Sequence, residues 1–233
     1  MDCHEIFSQL TLFCVIPIKP ENEKKKYLTK VEKSAFALPQ NLKDILVGLI
    51  LGDIQIEKRV NNANACLRFG QGTIHKDYLY HLYDLFQNFC PSGPKISNNL
   101  PHKITGKVYS RIRFHTYSLP CFNALLTLFY PDGVVKIVPM NIAEVLTPLS
   151  LAYWLCDDGT FHKTDQAVTL CTNGFTKAEV EHLAKSLNDK WQLKYTLSYN
   201  KGHQIRIAKK SLPILQTLLK DVMPPMMLHK IGL

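Results

Sequence analysis

Two stretches of this chain, residues 46–53 and 151–158, decide its fold. The first reads Leu-Val-Gly-Leu-Ile-Leu-Gly-Asp, and the second reads Leu-Ala-Tyr-Trp-Leu-Cys-Asp-Asp before Gly159. Each predicts an apolar helix that ends on an aspartate, Asp53 or Asp158. An acid is disfavoured at a helix C-terminus, where the macrodipole places partial negative charge. We therefore expect a cation at these ends, because two carboxylates brought together repel each other unless a divalent metal lies between them.

Further matches keep the same order around both stretches and indicate a duplicated unit. They are Lys76 and His81 with Lys177 and His182, Ser118-Leu119-Pro120 with Ser211-Leu212-Pro213, Pro131 with Pro224, and Lys136-Ile137 with Lys230-Ile231. We expect residues 1–40 to form an N-terminal stub and charged linker, residues 41–146 the first half, and residues 147–233 the second half.

After each aspartate, apolar and polar residues alternate with the period of two that is typical of strands. Examples are residues 54–57, Ile-Gln-Ile-Glu, and residues 168–171, Val-Thr-Leu-Cys. Thr176 and Glu179 match a capping box for the next helix. The predicted fold class is α+β, with duplicated αββαββα halves whose two curved antiparallel sheets flank a central pair of packed helices.

Small residues four apart on each motif helix predict a close contact between the two helices. Gly48 and Gly52 provide this face on the first helix, and Ala152 and Cys156 provide it on the second. Ordinary core packing is the alternative interpretation of the same spacing. Thr147-Pro148 predicts an N-cap and first turn for the second helix.

Composition restricts the classes of protein to which the chain can belong. Its 233 residues are 46% hydrophobic, which suits a globular fold with a real core. A net charge of +9 suits a polyanionic partner. Seven cysteines without a Cys-x-x-Cys pair indicate reduced thiols and an intracellular setting. The nine histidines show no zinc-binding spacing.

The N-terminal region predicts no membrane partner. The apolar run at residues 10–18 is too short to span a bilayer, and no basic region of a secretory signal precedes it. We expect residues 1 to about 20 to be accessory. The charged stretch at residues 21–33 has no apolar period and predicts a linker or basic arm.

The paired helices resemble the two signature motifs of single-chain LAGLIDADG homing endonucleases, in particular omega-type members encoded in mitochondrial introns. The resemblance covers roughly residues 41–231. Tyr153 replaces the usual motif glycine, Asp157 stands where glycine or alanine is common, and Leu51 stands where many members have an acid. Omega-type members share this pattern. The residues that carry the resemblance are Gly-Leu-Ile-Leu-Gly-Asp at 48–53, Leu-Thr-Pro at 146–148, Ser-Leu-Ala-Tyr-Trp at 150–154 and Asp-Asp-Gly at 157–159.

The resemblance implies a site-specific endonuclease that hydrolyses both DNA strands of a long target with divalent metal held by Asp53 and Asp158. Mg²⁺ suits such oxygen ligands, and we expect that Mn²⁺ can substitute. Lys136 and Lys230 match basic residues beside the metals, and Gln71 matches a polar residue near the nucleophilic water. The alternatives are solvated surface lysines and ordinary sheet decoration at Gln71.

Residues 157–159 admit two further interpretations. The sequence Asp-Asp-Gly is also typical of an ordinary turn. The other interpretation is that the second motif helix reaches Asp158. In that case we expect Asp157 to lie near the metal without binding it. His81 and His182 fall on apolar helix faces, and we expect them to be structural.

The polar faces of the predicted strands are rich in arginine, amide and hydroxyl groups. Such groups suit base edges in a major groove, which accommodates a β-ribbon, while an ordinary solvated sheet face is the alternative. The predicted DNA-binding residues are Gln55, Glu57, Arg59, Arg68, Arg111, Arg113, His162, Thr169, Thr196, Ser198, Gln204 and Arg206.

The expected partner is double-stranded DNA, with intron RNA as a second possibility. We expect a monomer with internal pseudo-two-fold symmetry, and the resemblance implies a mitochondrial location. Two other functions stay open, an RNA-splicing maturase on the same fold and a catalytically silent DNA-binding module. Both acids are intact, which favours the nuclease over the silent module.

Overall fold

The computed structural model describes residues 27–60, 62–98, 100–101, 105–199 and 202–233. The predictions for residues 1–26, including the apolar run, lie outside this part of the chain. A short helix, α1 (Lys30–Ser34), occupies the end of the stretch predicted as a linker or arm. It forms because Thr29 and Glu32 make a capping box at its N-terminus.

The two halves have the predicted order of elements, helix, two strands, helix, two strands and helix. The first half contains α2 (Gln40–Leu51), β1 (Gln55–Lys58), β2 (Ala65–Gly72), α3 (Lys76–Phe86), β3 (Lys95–Asn98), β4 (Ser110–His115) and α4 (Asn123–Phe129). The short helix α5 (Ile142–Val145) follows. The second half contains α6 (Pro148–Asp158), β5 (Gly159–His162), β6 (Ala167–Cys171), α7 (Lys177–Trp191), β7 (Tyr195–Ser198), β8 (Gln204–Ile207) and α8 (Leu212–Leu219), then a 3-10 helix at Pro225–Ile231.

Each half forms a four-stranded antiparallel sheet with the same strand order, β1-β2-β4-β3 in the first and β5-β6-β8-β7 in the second. The predicted α+β fold with a duplicated unit is therefore confirmed. In the first sheet Gln55 lies opposite Arg68, and Arg68 lies opposite His115, which places the three side chains on one face. The other face is apolar and packs on the core.

The motif helices α2 and α6 pack against each other at main-chain distance. A Cβ atom at Gly48 would lie 2.0 Å from the carbonyl oxygen of Ser150, so only glycine fits there. A Cβ atom at Gly52 would lie 2.8 Å from Cβ of Asp157. The expected contacts with Ala152 and Cys156 are therefore wrong in detail, because α6 presents a neighbouring face to these glycines.

Side-chain caps fix the start of two helices in the second half. Thr147 and Ser150 form a capping box at the start of α6, where Pro148 occupies the first turn. Thr176 and Glu179 form the predicted capping box of α7. The second carboxylate oxygen of Glu179 accepts a hydrogen bond from the main-chain N of Val138 at 2.9 Å. The segment between the halves is thereby tied to α7.

One apolar core extends from the first sheet through α2 and α6 to the second sheet. In the first half it is rich in aromatic rings, and Phe69 stacks on Phe114 with ring centroids 4.3 Å apart. None of the helices in the described part of the chain is long and apolar enough to cross a bilayer. The predicted boundary between the two halves, at residues 146 and 147, stays a prediction.

Candidate active site

The two motif aspartates lie near the meeting point of α2 and α6, but their surroundings differ. Asp53 is exposed and follows the C-cap Gly52, so its main chain lies beyond the end of α2. Asp158 is half-buried and is the last residue of α6. Burial raises the pKa of Asp158 to about 7, the Asp53 carboxylate adds to this, and Lys136 and Lys230 oppose it. The two acids of the duplicated motifs therefore lie close enough for the charge of Asp53 to oppose ionisation of Asp158.

A lysine ammonium lies at the end of each motif helix. Lys136 Nζ donates to the carbonyl oxygens of Ile50, Leu51 and Gly52 at 3.0, 3.3 and 2.8 Å. Lys230 Nζ donates to the carbonyl oxygen of Gly159 at 2.8 Å. The three carbonyls bound by Lys136 belong to the last turn and C-cap of α2, so this lysine completes that C-terminus. Gly159 is the C-cap of α6 and the first residue of β5, so Lys230 binds the chain just beyond the end of α6.

Burial lowers the pKa of Lys136, although the carboxylates of Asp158, Asp53 and Asp157 oppose that shift. A lysine in a half-buried position beside three acids is not a solvated surface side chain. The alternative of ordinary surface lysines is therefore wrong for Lys136.

Asp157 lies between the two motif helices. It belongs to α6, which ends at Asp158, and β5 begins at Gly159, so an ordinary turn at residues 157–159 is excluded. Its Oδ2 accepts a hydrogen bond from the main-chain N of Asp53 at 3.3 Å. Burial, with a further contribution from Asp53, holds the pKa of Asp157 well above its usual range.

Three buried polar atoms beside the acids lack a hydrogen-bond partner of normal geometry within the described part of the chain. They are Tyr78 Oη, Trp154 Nε1 and Asp157 Oδ1. Burial first, and then the Asp157 carboxylate, raises the pKa of Tyr78. The Trp154 ring lowers the pKa of Asp158, against the shift that burial causes.

Sequence reasoning did not assign a role to Tyr78 or Trp154. Both occupy apolar positions of amphipathic helices, α3 and α6, and are buried there. The sequence does contain a signal for them. A Tyr or Trp at an apolar helix position places a hydroxyl or indole N–H in the core, and such a group usually needs a hydrogen-bond partner.

Gln71 lies within β2, one residue before its end, and its side chain is beside Asp53. Its Nε2 is 3.5 Å from Asp53 Oδ2, the outer limit for a hydrogen bond. It is half-buried and lies opposite Ile112 on β4, so its side chain belongs to the face that packs toward the helices. Gln71 is therefore separate from the polar face and close to the acids.

The predicted DNA-binding residues of the first half lie on or beside one exposed sheet face. Arg111 and Arg113 are exposed on β4, and Gln55 and Arg68 are exposed on β1 and β2. Glu57 forms an ion pair with Arg68 at 2.7 Å, so this arginine is held by a neighbour.

The polar face of the second sheet is partly occupied by its own contacts. Arg206 forms an ion pair with Asp165 at 2.6 Å. Thr169 is only 7% exposed, and its hydroxyl lies 3.0 Å from Nε2 of His162. The hydroxyl of Thr169 thus supports His162, and its contact with DNA stays a prediction. Thr196 and Ser198 are exposed on β7, and Gln204 is half-buried on β8.

A basic cavity of about 340 Å³ lies at the end of the first sheet that is farther from Asp53 along β1. Its cationic lining residues are Lys33, Arg59, Lys95 and Arg113, and no carboxylate lines it. Such a cavity suits phosphate groups. Lys33 and Lys95 were absent from the predicted interface, because neither stands in an alternating pattern.

His81 and His182 have the structural contacts expected of them. Nε2 of His81 lies 2.7 Å from the hydroxyl of Tyr153, and Nε2 of His182 lies 3.0 Å from the carbonyl oxygen of Met140. Burial lowers the pKa of His81. Both side chains therefore bridge elements of the fold.

The donor set beside the helix ends fits a divalent cation that keeps most of its water. Asp53 raises the pKa of Asp158, so added positive charge between them is favoured. No three His, Cys, Asp or Glu side chains in the described ranges converge on one point as a metal cage. Mg²⁺ is commonly bound by one or two carboxylates and retained waters.

Comparisons of the sequence and of the fold with known proteins point to one family. Residues 43–215 match the sequence profile of the LAGLIDADG DNA endonuclease family. The cytochrome b mRNA maturase bI2 of Saccharomyces cerevisiae is 31% identical over 209 residues, which cover 84% of this chain and 48% of that protein. The chain thus spans about half the length of this relative. The Debaryomyces hansenii maturase bI2 is 31% identical over 201 residues, which cover 84% of this chain and 75% of that protein.

Endonucleases are found among the relatives as well. The probable intron-encoded endonuclease 1 of Wickerhamomyces canadensis is 29% identical over 212 residues, which cover 88% of this chain and 90% of that protein. Among solved structures, the homing endonuclease I-WcaI bound to its DNA recognition sequence superposes with a TM-score of 0.78 and 28% identity. That match covers 84% of this chain and 88% of the other.

Proposed function

Because this chain belongs to the LAGLIDADG DNA endonuclease family, we propose that it is a site-specific nuclease that hydrolyses both strands of a long DNA target. The observation that carries the proposal is the meeting of Asp53 and Asp158 at the ends of two packed helices, with a half-buried lysine beside each end. A silent module has no need of an acid such as Asp158, whose pKa is raised by burial and by a second carboxylate beside it. Retaining it costs stability, which favours a catalytic role.

In this proposal DNA lies across both sheets, with its sugar–phosphate backbones passing the helix ends. Arg111 contacts base edges, and the basic cavity at Lys33 and Arg59 receives backbone phosphates. Arg113 lies on the same strand as Arg111 and also lines the cavity, so it contacts DNA where the two surfaces meet. The net charge of +9 supports this arrangement. A monomer suffices, because the duplication supplies both halves of the site.

Asp53 and Asp158 would hold Mg²⁺, with Mn²⁺ as a substitute. When bound, such a cation supplies charge neutralisation at the phosphate and a water of lowered pKa. Lys136 and Lys230 keep positive charge beside the reacting phosphates. The Gln71 amide, next to Asp53, orients the attacking water.

The test is cleavage of a plasmid that carries the joined-exon form of the gene surrounding this reading frame. Wild-type protein with Mg²⁺ should linearise the plasmid at one position, and excess EDTA should stop cutting while binding persists. Asp53→Asn and Asp158→Asn should each slow double-strand cutting by at least about 100-fold with little change in Kd. The exposed acid Asp221, changed to Asn, is the matched control. Cutting in EDTA, or full cutting by either active-site variant, would contradict the proposal.

A second candidate function is RNA splicing. It is favoured by two relatives, both 31% identical, that are named as maturases of cytochrome b mRNA. Their host gene also supports a mitochondrial location for this chain. Splicing of the surrounding intron in vitro, with and without the protein, tests this function. Asp158→Asn separates the two roles, because RNA binding does not require the cutting site.

A further inference from the structure

The two motifs differ at the residue that precedes the aspartate. Gly52 precedes Asp53, whereas Asp157 precedes Asp158. The Asp157 side chain lies over Gly52, where a Cβ atom would approach its Cβ and Oδ2 to 2.8 Å. Because glycine has no side chain, the first motif cannot return this contact. The pseudo-two-fold symmetry is therefore broken at the centre of the site.

The main chain explains why only one motif needs this contact. Asp158 is the final residue of α6, so its main chain is held by the helix. Asp53 lies after the C-cap of α2, and its N–H donates to Asp157 Oδ2 at 3.3 Å instead of to a helix carbonyl. Removing Asp157 would leave this N–H without its acceptor and free the Asp53 backbone to shift.

We propose that Asp157 is a positioning residue that fixes the main chain of Asp53 in the position needed for cutting. The two halves of the cutting site are then supported unequally, because Asp53 depends on a side chain of the other motif and Asp158 does not. This inference rests on the proposed nuclease function. Asp157 acts through its Oδ2 as an acceptor, and its negative charge is not what the site uses. Its Oδ1 is buried and makes no hydrogen bond of normal geometry with the described residues.

Two substitutions at one position separate an acceptor from a charge. Asp157→Asn keeps an acceptor oxygen on a side chain of the same size, whereas Asp157→Ala removes it. Single-turnover cutting is measured with saturating protein and Mg²⁺ on joined-exon plasmid DNA, with each strand labelled separately. A misplacement of about 1 Å at a reacting group costs about 100-fold in rate. Asp157→Ala should therefore cut about 10- to 100-fold more slowly, and Asp157→Asn within about threefold of wild type.

The loss should also be unequal between strands. In Asp157→Ala, the strand whose cutting depends more on Asp53, identified with Asp53→Asn, should be cut more slowly, so that nicked plasmid accumulates. Kd for the plasmid should stay unchanged, and melting in EDTA reports any damage to folding. A merely structural role would slow both strands equally, or weaken binding and folding alone.

Each contrary outcome has a distinct meaning. If Asp157→Asn loses as much as Asp157→Ala, the charge is required and the acceptor role is refuted. If Asp157→Ala cuts like wild type, or slows both strands equally, unequal support is refuted while the nuclease proposal stands. If wild-type protein cuts no plasmid under any of these conditions, the nuclease function fails and the positioning role fails with it.

Discussion

The ammonium of Lys136 lies 2.8 Å from the carbonyl oxygen of Gly52, at the C-terminus of the first motif helix. Residue 136 belongs to the connection between the two halves, so a long-range contact completes this helix end. The same ammonium is close enough to Asp158 and Asp53 for both to raise its pKa against the effect of burial. The charge of Lys136 therefore links the end of α2, the connection between the halves and the acids.

Replacing Lys136 by methionine should destabilise the fold. Three carbonyl oxygens would lose their donor, and hydrogen bonds to charged groups contribute about 1.5–3 kcal/mol each as an upper range. We expect the free energy of unfolding in EDTA to fall by about 1–3 kcal/mol in urea titrations. Lys220→Met, at an exposed position, is the control and should stay within about 0.5 kcal/mol. Equal stability of both variants would show that the carbonyls are satisfied by water.

Gly48→Ala should be among the most damaging single-methyl changes in the chain. The added methyl group would lie 2.0 Å from the Ser150 carbonyl oxygen, and main chain cannot move aside as a flexible side chain does. We expect a loss of more than about 2 kcal/mol, or insoluble protein. Gly174→Ala is the matched control, because a Cβ atom there has no neighbour within 4 Å. A soluble Gly48→Ala variant of normal melting temperature would contradict the helix packing described above.

Asp158 should make the metal-free protein less stable at alkaline pH. Its folded-state pKa of about 7 lies above the usual value of a carboxyl, so the folded state binds this proton more tightly than the unfolded state does. The resulting stabilisation is complete below about pH 4 and is lost as pH rises through 7. Melting temperature in EDTA should therefore fall between pH 5 and 8, and less so in Asp158→Asn.

The same variant should melt no lower than wild type at pH 8 in EDTA, because its amide does not ionise. For a chain of this size, each kcal/mol corresponds to about 2–4 °C. Asp221→Asn should keep the wild-type pH slope. If Asp158→Asn also keeps that slope, the carboxyl at 158 is not the group responsible.

Arg111 and Arg59 should affect DNA binding in different ways. Arg111 stands on the exposed face of β4, where a bidentate contact with guanine would discriminate by about 1–3 kcal/mol. Arg59 lines the basic cavity, where phosphate is the expected ligand. Arg111→Ala should relax preference at one base pair. Arg59→Ala should weaken binding to all sequences and make the log–log salt slope shallower by about 0.9. Gel-shift competition across single-base target variants distinguishes them, and identical profiles would refute the distinction.

The duplicated fold and the bounds of several helices could be predicted because their signals lie in short stretches of sequence. The sequence predicts the first motif helix over about residues 41–52, within one residue of the observed Gln40–Leu51. Thr176 and Glu179 lie three residues apart, so their capping box is legible without any tertiary information. The strand β3 has no such signal, since all four of its residues are exposed, and only the repeat of the second half implied it.

The contacts between the halves could not be predicted in the same way. A helical period defines the apolar face of α6 but not its rotation against α2, which here brings Ser150 and Asp157 onto the glycines. The hydrogen bond from Asp53 to Asp157 joins residues from different motifs. Its existence depends on that rotation and on where α2 ends, and neither is encoded in a local pattern.

The contact at Gly48 also fixes the position of α2 along α6. With main chain against main chain, α2 and α6 cannot slide, so the spacing between their two acidic ends is built into the scaffold. A nuclease of this construction would leave single-stranded ends of one length, whatever sequence it recognises. Changing the exposed residues of the sheets would move the cut to a new place in a genome, and the overhang would remain the same.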